Sequence, residues 1–304
     1  MPNGQMKLSP IAVNRSKLQA YLETLKNGTE IQITSMPQIN RVIGGFERKK
    51  LVVIGARPSE GKSAFALQLA YEFSKKFRVL YMSLEMTTEE AMFRLMCHHK
   101  KIKNTVFYRG NFDYAPCEEF YQTMQKENRR LIIIDEHGKN WGEVNAIMET
   151  LGEDPPDIIF MDYVQCIKTS GKRMDEIEDY IKNFRKIAIE KNICVFLLSQ
   201  INRTNIAENK EPTMEGLKAT GVLEEHADKV ILLYYPCKRS ENISINIFKV
   251  IVSKNKNGLT GYIPCHIIPS QYRFYEIVKN AENELKEEQI IALHEQQIEV
   301  AWEE

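Results

Sequence analysis

The residues Gly55-Ala-Arg-Pro-Ser-Glu-Gly-Lys-Ser63 follow directly on the apolar run 51–54. From Ala56 onward they match a phosphate-binding loop in which Ala takes the place of the usual first Gly. A strand ends there, a turn exposes consecutive backbone N–H groups, and the positive end of the next helix points at the same spot. The candidate nucleotide contacts are Ala56, Arg57, Pro58, Ser59, Glu60, Gly61, Lys62, Ser63 and Ala64. Gly61 lets the backbone approach phosphate, Lys62 reaches the β- and γ-phosphates, and the Ser63 hydroxyl ligates Mg²⁺. Apolar residues at 64, 67, 69, 70 and 73 give the following segment a helical period. This pattern predicts a nucleoside triphosphate site.

Hydrolysis needs more than a cradle: an acid near the metal, a carboxylate to activate water, and a sensor for the γ-phosphate. Two apolar runs end in Asp, one at Asp135-Glu136 and one at Asp162-Tyr163, and spacing alone does not choose between them. A third run ends in Ser83-Leu-Glu85-Met86 and a fourth in Ser199-Gln200. Both place polar groups at strand tips, where the active sites of open α/β sheets lie.

The elements that must hold these groups alternate. Strand-like runs at 51–54, 79–84, 131–134, 158–161, 195–198 and 230–235 are separated by helical patterns at 87–99, 142–151 and 174–191. That order predicts an α/β fold with a mainly parallel sheet flanked by helices. After residue 243 the pattern changes to consecutive strands at 245–252, 262–268 and 273–277, the first two joined by the hairpin signal Asn257-Gly258. Near the N-terminus, 16–26 reads as a short amphipathic helix with Leu18, Tyr21, Leu22 and Leu25 on one face, a capping box at Ser16 and Gln19, and a stop at Gly28. The expected organisation is a tail and helix over 1–33, a nucleotide-binding α/β domain over 34–279 and an acidic helical tail over 280–304.

The chain has 304 residues, with 41 Lys plus Arg against 41 Asp plus Glu, so no global basic charge advertises nucleic acid; a local basic channel remains open. The six cysteines include no CxxC pair, and Cys97, Cys166, Cys194 and Cys265 read as buried free thiols. Neither a signal peptide nor a membrane-length apolar run is evident, so a cytoplasmic protein without membrane partners is expected.

Six ordered motifs carry a resemblance. They are Ala56-Arg-Pro-Ser-Glu-Gly-Lys-Ser63, Ser83-Leu-Glu-Met86, Met161-Asp-Tyr-Val-Gln165, Leu198-Ser-Gln-Ile-Asn-Arg203, Gly221-Val-Leu-Glu-Glu-His-Ala-Asp228 and Lys254-Asn-Lys-Asn-Gly258. Between Thr34 and about Tyr275 the chain resembles the RecA-like ATPase domain of DnaB-type replicative helicases. The resemblance implies ATP and Mg²⁺ as cofactors, with Asp162 the metal-side acid, Glu85 the base and Gln200 the sensor. Asp135 would then end a neighbouring strand. It further implies that Lys254 and Lys256 act on the nucleotide of an adjacent subunit. The family usually has Arg at the second of these positions; Lys is a point charge where Arg offers a planar fork. Lys168, Lys172 and Arg173 in one loop, with Arg203 and Lys218 in another, would hold single-stranded DNA by its phosphates in the channel of a homo-oligomeric ring, a hexamer in this family. Read without the resemblance, the same lysines are solvated loop and hairpin charges.

With the phosphate loop near residue 56, the expectation is a stand-alone motor domain without the family's helical collar; a primase partnership is then not carried over, and a loading partner is left open. Rival functions are a RecA-like ATPase that binds DNA without unwinding it, as a recombination or loading factor does, and a regulatory ring ATPase that acts on a protein. A monomeric phosphoryl-transfer kinase ranks last, since it gives the Lys254/Lys256 hairpin no purpose.

Overall fold

A computed structural model of the chain describes residues 15–16, 18–19, 22–23, 30–110, 112–135, 139–150, 155–169, 173–201, 211–217, 220–236 and 247–277. The apolar runs become β1 (Lys50–Ala56), β2 (Val79–Ser83), β3 (Leu131–Asp135), β4 (Ile158–Asp162), β5 (Cys194–Gln200) and β6 (Lys229–Tyr234). The late runs become β7 (Ile247–Asn255), β8 (Gly261–Ile268) and β9 (Arg273–Glu276). All nine form one sheet in the order β3-β2-β4-β5-β1-β6-β7-β8-β9. The pairs from β3 to β6 are parallel and those from β6 to β9 antiparallel. The change from parallel to antiparallel falls where the sequence stops alternating strands with helices.

Helices cover both faces, which is why the central strands are apolar throughout rather than alternating. The described helices are α1 (Pro37–Ile43), α2 (Lys62–Phe73), α3 (Thr88–Lys100), α4 (Thr105–Tyr108), α5 (Ala115–Lys126), α6 (Trp141–Thr150), α7 (Arg173–Glu190) and α8 (Thr220–His226). Successive residues of β1 feed opposite cores: Val52 and Ile54 pack with α2 residues such as Phe65 and Leu69, and Leu51 and Val53 with α7 residues such as Ile181 and Phe184. Helix α2 is buried along nearly its whole length, so it serves as a central rod that carries the phosphate loop on its N-terminus.

The periodicity missed α1, α4, α5 and α8. Helix α5 buries only Phe120, too small an apolar stripe to stand out from its polar surroundings. The N-terminal segment is helical at residues 15–16, 18–19 and 22–23, so Ser16 lies inside that helix rather than capping it. Tyr21, Leu25 and Gly28, and the acidic tail over 280–304, lie outside the described residues. Cys97, Cys194 and Cys265 are buried free thiols as expected, whereas Cys166 is only half-buried because it sits on the turn after β4, at the rim of the sheet. Among the described residues no helix is long and apolar enough to cross a membrane.

One buried imidazole makes folding depend on pH. Burial, aided by the Arg273 guanidinium, lowers the pKa of His98 on α3 to about 4. The unfolded chain takes up this proton near the ordinary value of 6.5 and the folded chain only near 4, so stability falls as pH drops through that window. Replacing His98 with Gln should flatten this part of the curve by about 3 kcal/mol. Urea midpoints measured across the window test this, and an unchanged slope would discount His98.

Candidate nucleotide-hydrolysis site

Strand β1 delivers the chain to the C-terminal edge of the sheet, and the loop turns into α2 through two left-handed residues, Ser59 (φ 61°) and Gly61 (φ 82°). Gly61 is required here on two counts. L side chains rarely adopt its φ, and a Cβ would stand 2.9 Å from Cζ of Phe274. Arg57, Pro58, Ser59, Gly61, Lys62, Ser63 and Ala64 line a cleft of about 840 Å³. Ala56 and Glu60 stand behind that lining; the Glu60 carboxylate is buried 4.0 Å from the Arg57 guanidinium.

Lys62 Nζ donates to Asp162 Oδ1 at 2.7 Å and lies 4.4 Å from the centroid of the Tyr163 ring. Tyr81 donates its hydroxyl to Asp162 Oδ2 at 2.6 Å. Burial and the neighbouring carboxylate hold the Tyr81 pKa far above its ordinary range, so the phenol stays a donor. Asp135 is engaged elsewhere: its Oδ2 accepts the Thr88 backbone N–H at 2.9 Å, at the start of α3. Strand β2 separates the two aspartates, since Ser83 pairs with Asp135 on one side and Asp162 on the other. Glu136 lies outside the described residues.

Glu85 is exposed and lines the same cleft. The turn that presents it is held by the Leu84 N–H donating to the Asp162 carbonyl (2.7 Å) and the Met86 N–H donating to Ser83 Oγ (3.2 Å). Gln200 also lines the cleft, placed there by its register with Ala56 across the β1–β5 pair. The cleft therefore gathers the loop, Glu85 and Gln200 beside the Lys62–Asp162 pair, residues far apart in the chain.

The Ser63 hydroxyl and the Asp162 carboxylate are hard oxygen donors, the kind Mg²⁺ takes in ones and twos while keeping water and phosphate oxygens around it. Among the described residues no group of three or more His, Cys, Asp or Glu side chains forms a metal cage. The donor set thus fits a metal carried in with phosphate.

Several cleft residues escaped the sequence. Tyr235, Ile267, Pro269, Tyr272 and Phe274 form an apolar and aromatic wall, and Glu90 and Arg94 reach in from α3. Arg94 lies 5.3 Å from the Tyr272 ring centroid, and the Tyr272 hydroxyl accepts from Asn104 Nδ2 at 2.8 Å. No local motif marks this wall, because it exists only once β8 and β9 fold back across the loop.

Lys254 and Lys256 do not line the cleft. The Lys256 N–H donates to the Asp228 carbonyl at 3.0 Å, and the Asp228 N–H donates to the Leu51 carbonyl at 2.8 Å, at the entry of β1. The phosphate loop leaves the other end of β1, seven residues long and so about 20 Å away. Asp228 is buried, its carboxylate accepts from Leu51 N–H, Lys50 and Arg185, and it forms an ion pair with Lys256 at 3.6 Å. Lys254 donates to the Glu224 carbonyl, and burial together with the Lys256 ammonium lowers its pKa below the ordinary lysine value. Lys254 belongs to β7 itself, and only Lys256 stands at the turn.

Of the five residues expected to hold DNA, Lys168 is described and exposed, on the loop after β4 at the cleft edge of the sheet. Arg173 is the first residue of α7, and its side chain lies outside the described residues, as do Lys172, Arg203 and Lys218.

The DnaB-like helicase C-terminal domain model matches residues 32–276, a span that takes in all nine strands of the sheet. The chain belongs to this family. The replicative DNA helicase DnaC of Bacillus subtilis is 30% identical over 256 residues, covering 80% of this chain and 56% of that protein. The replicative DNA helicase DnaB of Geobacillus stearothermophilus is 29% identical, covering 86% of this chain and 61% of that protein. The chain thus spans little more than half the length of these DnaB-type relatives. Among solved structures, a separate ATPase domain superposes with a TM-score of 0.76 at 24% identity, covering 89% of this chain and all of that one. A DnaB-like replicative helicase described with its primase interactions gives 0.74 at 25%, covering 90% of this chain and 68% of that one. A KaiC-like protein of Pyrococcus horikoshii gives 0.58 at 14%, covering 82% of this chain and all of that one; it shares the RecA-like fold alone.

Proposed function

We propose that this chain is the ATP-hydrolysing motor of a replicative DNA helicase, working as a ring, a hexamer in our reading, that moves along single-stranded DNA. The observation that carries the proposal is the division of the site between two ends of the sheet. The loop, Glu85, Asp162 and Gln200 meet at one end, while Lys254 and Lys256 stand at the other. A basic pair about 20 Å away is out of reach of its own nucleotide, and we read it as serving a neighbour's.

In this mechanism Lys62 leaves Asp162 for the β- and γ-phosphates when nucleotide enters, which frees Asp162 Oδ1 for the metal side. Ser63 and Asp162 would hold Mg²⁺, which would neutralise charge on the phosphates. Glu85 takes the proton of the attacking water, and Gln200 senses whether the γ-phosphate is present. Lys254 and Lys256 of the adjacent subunit meet the charge that develops on the transferred group. The aromatic wall around Tyr272 suits a nucleobase. Lys168, Lys172, Arg173, Arg203 and Lys218 grip DNA phosphates, a sequence-independent and salt-sensitive contact. The N-terminal helix supports assembly: Leu18 and Leu22 are 57% and 52% exposed, an apolar stripe left open for an adjacent subunit.

Two measurements test the proposal. Mixing subunits bearing Lys62→Ala with subunits bearing Lys256→Ala should restore part of the turnover that each lacks alone, because mixed interfaces contain one intact site. Single-strand affinity should fall steeply with salt, and each phosphate contact removed should flatten the log–log slope by about 0.7. No recovery on mixing and no salt-dependent affinity would leave a regulatory ATPase in its place, and strand displacement separates a helicase from a DNA-binding ATPase that does not unwind.

A further inference from the structure

The parallel ladder between β4 and β5 stops at Met161↔Leu197. Beyond that point the two strands diverge into the loops after residues 162 and 200, and a side chain spans the gap. Gln165 lies on the 3₁₀ turn Val164–Cys166, just after Asp162, and is 4% exposed. Its Nε2 donates to Ser199 Oγ at 2.8 Å, and its Oε1 accepts the Gln200 backbone N–H at 3.3 Å. The next residue, Ile201, donates its N–H to the Ala56 carbonyl at 2.9 Å and bridges to Leu217, closing the base of the second loop. On the other side, the Lys168 N–H donates to the Lys139 carbonyl at 2.8 Å. One buried amide thus touches the backbone of the γ-phosphate sensor and sits three residues from Lys168.

We propose that Gln165 is a positioning residue that couples the nucleotide state at Gln200 to the DNA grip of the loop carrying Lys168; this rests on the helicase function proposed above. A primary amide suits the task because it donates and accepts at once, so one alignment of the two loop roots satisfies both bonds and any other leaves a buried polar atom unpaired. Motion of the Gln200 backbone on loss of the γ-phosphate is then carried across the gap. The family motifs around Asp162 and Gln200 do not predict this link, since the two stretches meet only in the folded sheet.

The test compares Gln165→Met, which keeps the volume and removes both hydrogen-bonding atoms, with Ser199→Ala and the double variant. Basal ATP turnover should stay within about twofold of wild type. Its stimulation by oligo-dT, and the ratio of single-strand affinities measured with a non-hydrolysable ATP analogue and with ADP, should fall by about tenfold, within the usual range of coupling between sites. The double variant should be no worse than Gln165→Met alone, because both changes break one link. Equal loss of basal and stimulated turnover, full retention of stimulation, or losses that multiply in the double variant would each overturn the proposal. If Gln165→Met does not fold, as read by its thermal transition, Ser199→Ala alone must lower the affinity ratio or the proposal fails. A wild type without any DNA stimulation would instead remove the helicase function on which it rests.

Discussion

Lys62→Ala should lower ATP turnover by about 10³-fold or more, the range seen when a charged partner of the transferring phosphoryl group is removed. Under the proposed function this ammonium would reach the phosphates, and among the described residues no second Lys of this subunit lines the cleft. The same change should also weaken the nucleotide-free fold. Asp162 is fully buried, and among the described residues its carboxylate keeps only the Tyr81 hydroxyl once Lys62 Nζ is gone. Stranding one partner of a buried pair costs about 3–5 kcal/mol. Two readouts therefore move together, turnover at saturating ATP and the urea midpoint without nucleotide. Asp162→Asn combined with Lys62→Met should recover much of the midpoint while leaving turnover absent, since the buried charge is then removed with its partner. Wild-type turnover in Lys62→Ala would take this cleft out of the chemistry.

Glu85→Gln should separate binding from turnover. The side chain is exposed on a turn and is bound into neither the Lys62–Asp162 pair nor the capping of α3, so its amide should leave the fold and nucleotide affinity near wild type. Loss of a positioned base is worth about 10²–10⁴ in rate. Equilibrium binding of a fluorescent ATP analogue and steady-state phosphate release measure the two effects on one preparation. Should Glu85→Gln hydrolyse ATP at the parental rate, Glu90 becomes the suspect within the cleft, although its carboxylate already accepts the Thr87 N–H at 3.2 Å. Such a result would also reopen Glu136.

The phosphate loop, the strand–helix alternation and the change to consecutive late strands were all legible locally. Each depends on short-range rules: a loop must expose amides before a helix, a doubly covered strand must be apolar throughout, and a hairpin needs Asn-Gly at its turn. The choice between Asp135 and Asp162 was not local. Both end an apolar run in the same way, and their roles diverge because the sheet order places β2 between β3 and β4, which turns Asp162 toward Lys62 and gives Asp135 to the first turn of α3.

The late strands show the same limit. Tyr272 and Phe274 read as ordinary alternating strand residues, and they become a cleft wall only when β8 and β9 return over the loop, close enough that Gly61 has no room for a Cβ. Lys254 and Lys256 read as a solvated tip from their own neighbours, but Asp228 fixes their end of the sheet opposite the phosphate loop. By itself the sequence determined which groups this chain possesses and that its loop can cradle phosphate, since those follow from residue type and spacing over a few positions. Beyond what the resemblance implied, the tertiary structure decided which of them meet, because strand order and register bring together residues a hundred positions apart, such as Lys62 and Asp162, and no local pattern encodes that distance.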